Sequence, residues 1–286
     1  MANWYYYSIL ALLLLGVQRF LNKVAAERNC SSSLTTAVFM GTVTLFSAVT
    51  FLLSAETPTN VSSLLVLSLV NSSSFALATI SHIEALRHLP AGIAFPLTRL
   101  SLVVVVVTSV VYFGEHLSSL QWLGILLGLA VVVVLAQDLR TDARWQGNRR
   151  VGLLFVAACI ICGAVAAISS KLAVLSTSKA GFMTLSYLLG TGFSLAISKK
   201  WGQGRKHDSS REAVVIGILM GVLNFFGFYA FLTALESGPL SAIALMTGMH
   251  FVIAIILSVV LYREKMTFAR SLGIGLTLLA VFFLKQ

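Results

Sequence analysis

The chain alternates long apolar runs with short polar interruptions. Near-continuous apolar stretches fall at Trp4–Asn22, Leu34–Leu53, Ser62–His82, Ala91–Phe113 and Leu117–Ala136. A charged break from Gln137 to Arg150 follows. Five further runs cover Val151–Leu172, Gly181–Ile197, Ala213–Leu232, Leu240–Leu261 and Thr267–Leu284. A helix needs about 20 mostly apolar residues, or roughly 17–25, to cross a bilayer, and every run meets that length. Backbone groups in hydrocarbon must be bonded within the segment, and the runs lack the apolar–polar alternation of a membrane barrel. The pattern therefore predicts an all-α membrane protein with ten transmembrane helices, short connections and no soluble domain.

The pattern repeats. Displaced by 149 residues, the two halves align without gaps over about 50 positions: Ala85-Leu86 falls on Ala234-Leu235, Pro90 on Pro239, Thr98 on Thr247, Glu115 on Glu264, and Leu123-Gly124-Ile125 on Leu272-Gly273-Ile274. Agreement among apolar residues is easily accidental, but agreement of Pro, Thr, Glu and Gly in one register is not. The division is a first five-helix repeat over 1–137, a charged connection over 138–150, and a second repeat over 151–286. Five is odd, so the second half should run upside down relative to the first, and two inverted repeats enclosing a central site suit an alternating-access transporter.

The unit EALRHLPAGIAFPL…VYFGEHLSSLQWLGILL, echoed by TALESGPLSAIALM…LYREKMTFARSLGIGLTLL, resembles the EamA-type repeat of the drug/metabolite transporter superfamily. Gly16 and Lys23 in the first run, with Gly163 and Lys171 in the sixth, are similar to that family's glycine-then-lysine pattern. The resemblance implies a ten-helix carrier whose central cavity exports amino acids or other metabolites. An intramembrane enzyme or a non-transporting scaffold is the alternative. The sequence offers neither a His-x-x-x-His nor an intramembrane Asp pair for such an enzyme.

Composition agrees with the span count: 58% of residues are hydrophobic and 10% charged, with a mean hydropathy of +0.93, too apolar for a soluble domain. The first run lacks a basic flank before it and reads as a retained helix rather than a cleaved signal. The net charge of +10 sits mainly in inter-run loops, so it reports topology rather than nucleic-acid binding. Three cysteines make no disulfide framework, and Cys159-x-x-Cys162 lies in a wholly apolar run without a neighbouring His, so no metal and no cofactor is expected. The expected partners are a small-molecule substrate, the lipid bilayer and, as a candidate coupling ion, the proton, in a plasma or inner membrane. Monomer and homodimer stay open.

Ionisable side chains at mid-depth cost about 2.5–3.5 kcal/mol on insertion scales and mark candidate sites. Arg99 lies about 12 Å into the fourth run at 1.5 Å per residue, and His250 near the middle of the ninth. The repeat pairs Thr98, Arg99 and Ser101 with Thr247, Gly248 and His250, so these positions should face one another across the pseudo-symmetric centre. Asn71 and Asn224 are further polar groups in the apolar runs; each either meets substrate or bridges helices. Gln18, with Arg19 beside it, reaches the cavity if the first helix bends at Gly16; otherwise Arg19 extends to the interface. Tyr229 belongs to an aromatic stretch with Phe225, Phe226 and Phe228, which is packing or a ligand platform. All ten acids fall in loops or near run ends, leaving a neutral-to-positive cavity suited to solutes with a carboxylate, for which Arg99 is a natural bidentate partner.

Loops after odd-numbered runs carry most of the basic residues, which by the positive-inside rule puts both termini outside the cytoplasm. The family resemblance implies the reverse. Labelling of a cysteine introduced at Ser209 decides between them.

Overall fold

The computed structural model describes residues 3–28, 30, 32–54, 60–89, 97–138, 148–201, 210–262 and 266–285. Those residues form eleven helices and no strand: α1 Asn3–Glu27, α2 Ser32–Leu53, α3 Val61–His88, α4 Ser101–Tyr112, α5 Ser119–Asp138, α6 Arg149–Ser176, α7 Lys179–Trp201, α8 Ser210–Ser237, α9 Leu240–Gly248, α10 His250–Tyr262 and α11 Phe268–Leu284. Polar residues at the ends of the apolar runs start several of them. Asn60 caps α3 by accepting from the Ser63 amide, Asn148 caps α6 through the Arg150 and Val151 amides, and Thr267 caps α11 through Arg270. Many hydroxyls inside the helices are satisfied by carbonyls one turn back, as when Ser47 donates to Val43 and Thr277 to Gly273, which lowers the cost of placing Ser and Thr in oil; those of Thr35, Ser68, Ser72, Ser109 and Ser186 are buried without a partner among the described residues.

The repeat offset reappears in the helices. Val61, Ser101 and Ser119 open α3, α4 and α5; Ser210, His250 and Phe268, each 149 residues on, open α8, α10 and α11. Packing obeys the same correspondence. The principal seams join α1 to α8, α3 to α6, α2 to α7 and α5 to α11, with α2 also on α8 and α3 on α7. Exchanging the halves turns α1–α8 into α6–α3 and α2–α8 into α7–α3, and returns α2–α7 and α5–α11 to themselves. The equivalent helices α2 and α7 run antiparallel: a Cβ added at Gly181 would lie 3.1 Å from the Phe51 ring, and one at Gly190 would lie 3.3 Å from the Met40 sulfur.

Six segments of the described residues are long and apolar enough to cross a membrane: Asn3–Asn22, Leu34–Leu53, Val61–Thr79, Arg149–Ser176, Ser210–Ser237 and Leu240–Leu261. Three shorter apolar helices, Leu97–Tyr112, Ser119–Val134 and Phe268–Leu284, accompany them. The protein is thus a multi-pass integral membrane protein, and its outer surface fits that setting. Leu52, Leu53, Val111, Leu154 and Phe268 are all more than 70% exposed, a belt that lipid rather than water must cover. Length and composition alone account for six of the ten expected spans.

Two apolar runs differ from the uninterrupted helices that the sequence predicts. The fourth turns at Leu100 before α4 begins, and the ninth breaks at Met249 between α9 and α10. Met249 keeps helical φ but has ψ near zero, and its amide is shared among the carbonyls of Leu245, Met246 and Thr247. Leu100 and Met249 are 149 residues apart, so the breaks are equivalent.

Packing is uneven from end to end. The largest fully buried side chains include Phe182, Met183, Leu232, Leu235, Leu240, Ile243, Leu245, Met246 and Leu284, most of them towards the end of the molecule where α1 and α3 start and α6 and α8 finish. Two long-range networks close that end. Lys171 of α6 donates to the carbonyls of Leu235 and Gly238 at the C-terminus of α8. Glu115, between α4 and α5, accepts from the amides of Leu240 and Ser241 at the N-terminus of α9. Pro239 is the N-cap of α9 and makes no side-chain cap bond, so the carboxylate supplies what the turn lacks. A cation on carbonyls and an anion on amides both match the helix dipoles they meet. Glu264, the repeat equivalent of Glu115, lies outside the described residues.

Candidate functional site

The equivalent breaks put polar side chains where uninterrupted helices would put only apolar ones. Arg99 immediately precedes Leu100, and Ser101 follows it; His250 immediately follows Met249. Non-helical backbone deep in an apolar run is tolerated where it borders a cavity. His250 is buried, and its Nδ1 donates to the Thr247 carbonyl at 2.6 Å. That bond anchors the ring to the last turn of α9 and fixes its tautomer. Nε2 is left buried without a partner among the described residues.

Arg99 places its guanidinium carbon 5.5 Å from the centre of the Phe251 ring, a cation–π contact across the two breaks,. Arg19 joins it. Gly16, one turn before Arg19, is pressed against the start of α10: a Cβ there would lie 2.9 Å from the His250 carbonyl and 2.5 Å from Ile253 Cβ. Positions three apart share a helix face, so Arg19 is carried to the same region, within electrostatic reach of Arg99, His250, Tyr187 and His82. Its side chain is exposed. Neither arginine has an ion pair or a hydrogen bond among the described residues.

The opposite wall comes from the second half. Tyr187 of α7 donates its hydroxyl to Asn224 Oδ1 of α8 at 2.5 Å, and its ring is held edge-on by Phe39 and Phe228. Both arginines belong to the first repeat; in the second, Gly248 stands at the position equivalent to Arg99. One wall is therefore cationic and the other neutral and hydrogen-bonding.

The residues expected from sequence divide as follows. Arg99, His250, Ser101, Thr98 and Thr247 all lie at the paired breaks. Thr98 is buried, and Thr247 Oγ1 is spent on the Ile243 carbonyl at 2.7 Å. Asn224 lies on the neutral wall and Gln18 is buried beside Arg19. Asn71 stands apart: its amide donates to the Ala166 carbonyl at 2.8 Å and to the hydroxyls of Ser170 and Ser169 at 3.0 and 3.1 Å, so it sews α3 to α6. Tyr229 stands towards the closed end, where the Lys179 ammonium lies 5.7 Å from its ring. Tyr187 and His82 were not singled out in the sequence: Tyr187 looks like one more aromatic in an apolar run, and His82 like a run end. Arg19 was weighed there only as a neighbour of Gln18. No three of His, Cys, Asp and Glu among the described residues come together in a way that could hold a metal ion. An open groove at the ends of α3 and α6, lined by Ser62, Val66, Leu172 and Leu175, belongs to the lipid-facing belt.

Comparison with known proteins fits this layout. The EamA-like transporter family matches residues 2–137 and again residues 150–285. A solved crystal structure resembles the chain with a TM-score of 0.77 and 18% sequence identity, covering 99% of this chain and 96% of the other; at that identity the likeness establishes the fold alone. No curated protein sequence matches the chain.

Proposed function

We propose, from the premise that this chain belongs to the EamA-like transporter family and is a membrane transporter of small solutes, that it is a secondary carrier of carboxylate-bearing metabolites, amino acids among them. Ten spans in two inverted halves enclose the site, and the solute is exposed to one side of the membrane and then the other. The antiparallel pairing of α2 with α7 and the equivalent breaks at Leu100 and Met249 support that arrangement. The direction is export or exchange.

The observation that carries the substrate class is Arg99. Its guanidinium lies in an apolar surrounding with no carboxylate partner among the described residues, stacked on Phe251. A planar fork of donors matches a carboxylate bidentately, and a substrate carboxylate supplies the missing partner. Once the charge is paired, the cost of carrying it through a low-dielectric region falls. Uptake into proteoliposomes tests this with an acid and its amide under wild type and Arg99→Gln. The substitution should weaken the acid by at least tenfold and leave the amide unchanged, since a charged hydrogen bond contributes about 1.5–3 kcal/mol. Equal losses for both solutes, or none, would reduce Arg99 to a cap on a helix break.

A further inference from the structure

Arg19 has no place in that reading, which needs only one cation. The structure brings two guanidinium groups to the start of α10: Arg99, from the turn before α4, lies over Phe251, and Arg19 follows Gly16 by one turn of α1 where that helix packs on His250 and Ile253. Neither is paired with an acid or hydrogen-bonded among the described residues. The neighbouring polar groups do not neutralise them. Tyr187 is a donor already committed to Asn224, and His250 offers Nε2, a neutral acceptor at most. Glu115 and Glu236 are occupied at the closed end with α9 and with Lys179, and Glu212 pairs with Arg28.

Two like charges held together in an apolar surrounding repel strongly. A singly charged occupant would leave one of them uncompensated. We propose that the cavity takes a small organic dianion, with Arg19 and Arg99 each engaging one anionic group and the neutral wall of Tyr187, Asn224 and His250 meeting the rest of the molecule. This rests on the carboxylate reading of Arg99 and narrows it. Because both cations come from the first repeat, the two anionic groups must lie on one side of the ligand or at its two ends along that wall. Two chemistries provide such a charge: a dicarboxylate, with its charges apart, and a phosphate, with both on one group.

The test uses purified full-length protein in detergent, reading binding by thermal stabilisation over a concentration series. The probes are succinate, succinamate (one carboxylate replaced by a neutral amide) and inorganic phosphate. For wild type, succinate should bind at least about tenfold more tightly than succinamate, as expected for one extra charge-assisted contact. Arg19→Gln should bring the two within about twofold of each other while succinamate binding is retained. Phosphate binding with the same Arg19 dependence, in place of succinate binding, also supports the dianion site and assigns it to phosphate. Arg19→Lys, which keeps the charge and loses the fork, should preserve the ratio at lower affinity. Equal binding of succinate and succinamate by wild type overturns the proposal and leaves the carboxylate reading standing; so does a ratio that survives Arg19→Gln. No binding of any acid overturns both. The wild-type ratio decides the matter even if Arg19→Gln does not fold.

Discussion

The carboxylate of Glu115 bonds to Ser241 twice over, taking the hydroxyl at 2.6 Å and the amide at 3.2 Å, across the boundary between the two halves. The same carboxylate takes the Leu240 amide. Nothing else described caps the start of α9, so Glu115→Gln should destabilise the folded protein by about 1–3 kcal/mol, the range for a charged hydrogen bond to a buried donor. Thermal unfolding in detergent measures this. Ser241→Ala should cost less, because it removes one bond of three and leaves both amides capped. If Glu115→Gln melts with wild type, the contact does not hold the closed end together.

Tight seams should be intolerant where backbone stands in the way. A Cβ at Gly221 would come within 2.5 Å of Thr42 Cβ and 3.0 Å of the Phe39 carbonyl. Gly221→Ala is expected to destabilise by about 1–3 kcal/mol through overpacking. Gly192 in α7 has nothing within 4 Å, and Gly192→Ala should be neutral or mildly stabilising because alanine favours helix by up to about 1 kcal/mol. Reversal of that order would mean the α2–α8 seam can open freely.

His250 should set the pH response of binding. Protonation converts the unpartnered Nε2 from an acceptor to a donor and adds positive charge to the anion's surroundings. Proton and anion therefore favour each other's binding, with equal and reciprocal coupling. Affinity for an acid should rise as pH falls, and His250→Gln should flatten that profile. A profile unchanged by the substitution would move the proton site elsewhere, for instance to Glu84.

Tyr187→Phe removes the hydroxyl that holds Asn224 and keeps the ring between Phe39 and Phe228. The expected loss of stability is modest, about 1 kcal/mol for a neutral hydrogen bond. Apparent substrate affinity should nevertheless change several-fold, because the freed amide can reorient into the cavity. Asn71→Ala is the contrast: it should lower the melting temperature, since three groups on α6 lose their donor, with affinity in the surviving protein unaltered.

The sequence carried the membrane setting and the repeat because both depend on patterns that many residues enforce. Twenty-residue apolar runs and a shared register of Pro, Thr, Glu and Gly survive local variation. The breaks at Leu100 and Met249 were hidden, since neither residue is a helix breaker and each lies within a long apolar run whose few polar residues do not mark where the helix turns. What decides them is tertiary: His250 turning back on Thr247, and α1 crowding the start of α10 at Gly16. Polar residues in oil were visible as a set but not by role. Asn71 and Asn224 look alike in sequence; one has all its donors used by α6, and the other faces Tyr187. Arg19 was ambiguous because the sequence does not reveal which face of α1 meets α10.

The main seams of the molecule run between the halves rather than within them, and glycine marks several of them: Gly16, Gly124, Gly217, Gly221 and Gly227 all bring backbone or side-chain stems of the partner helix into contact. A helix surface without side chains there offers few interlocking ridges. In the proposed carrier such seams would serve as bearings, along which one half shears past the other without a flexible hinge. The residues proposed to select cargo adjoin these seams: Arg19 is one turn beyond Gly16, and Asn224 lies between Gly221 and Gly227. A substitution that changes what the site accepts would therefore act next to the surfaces on which the proposed carrier shears.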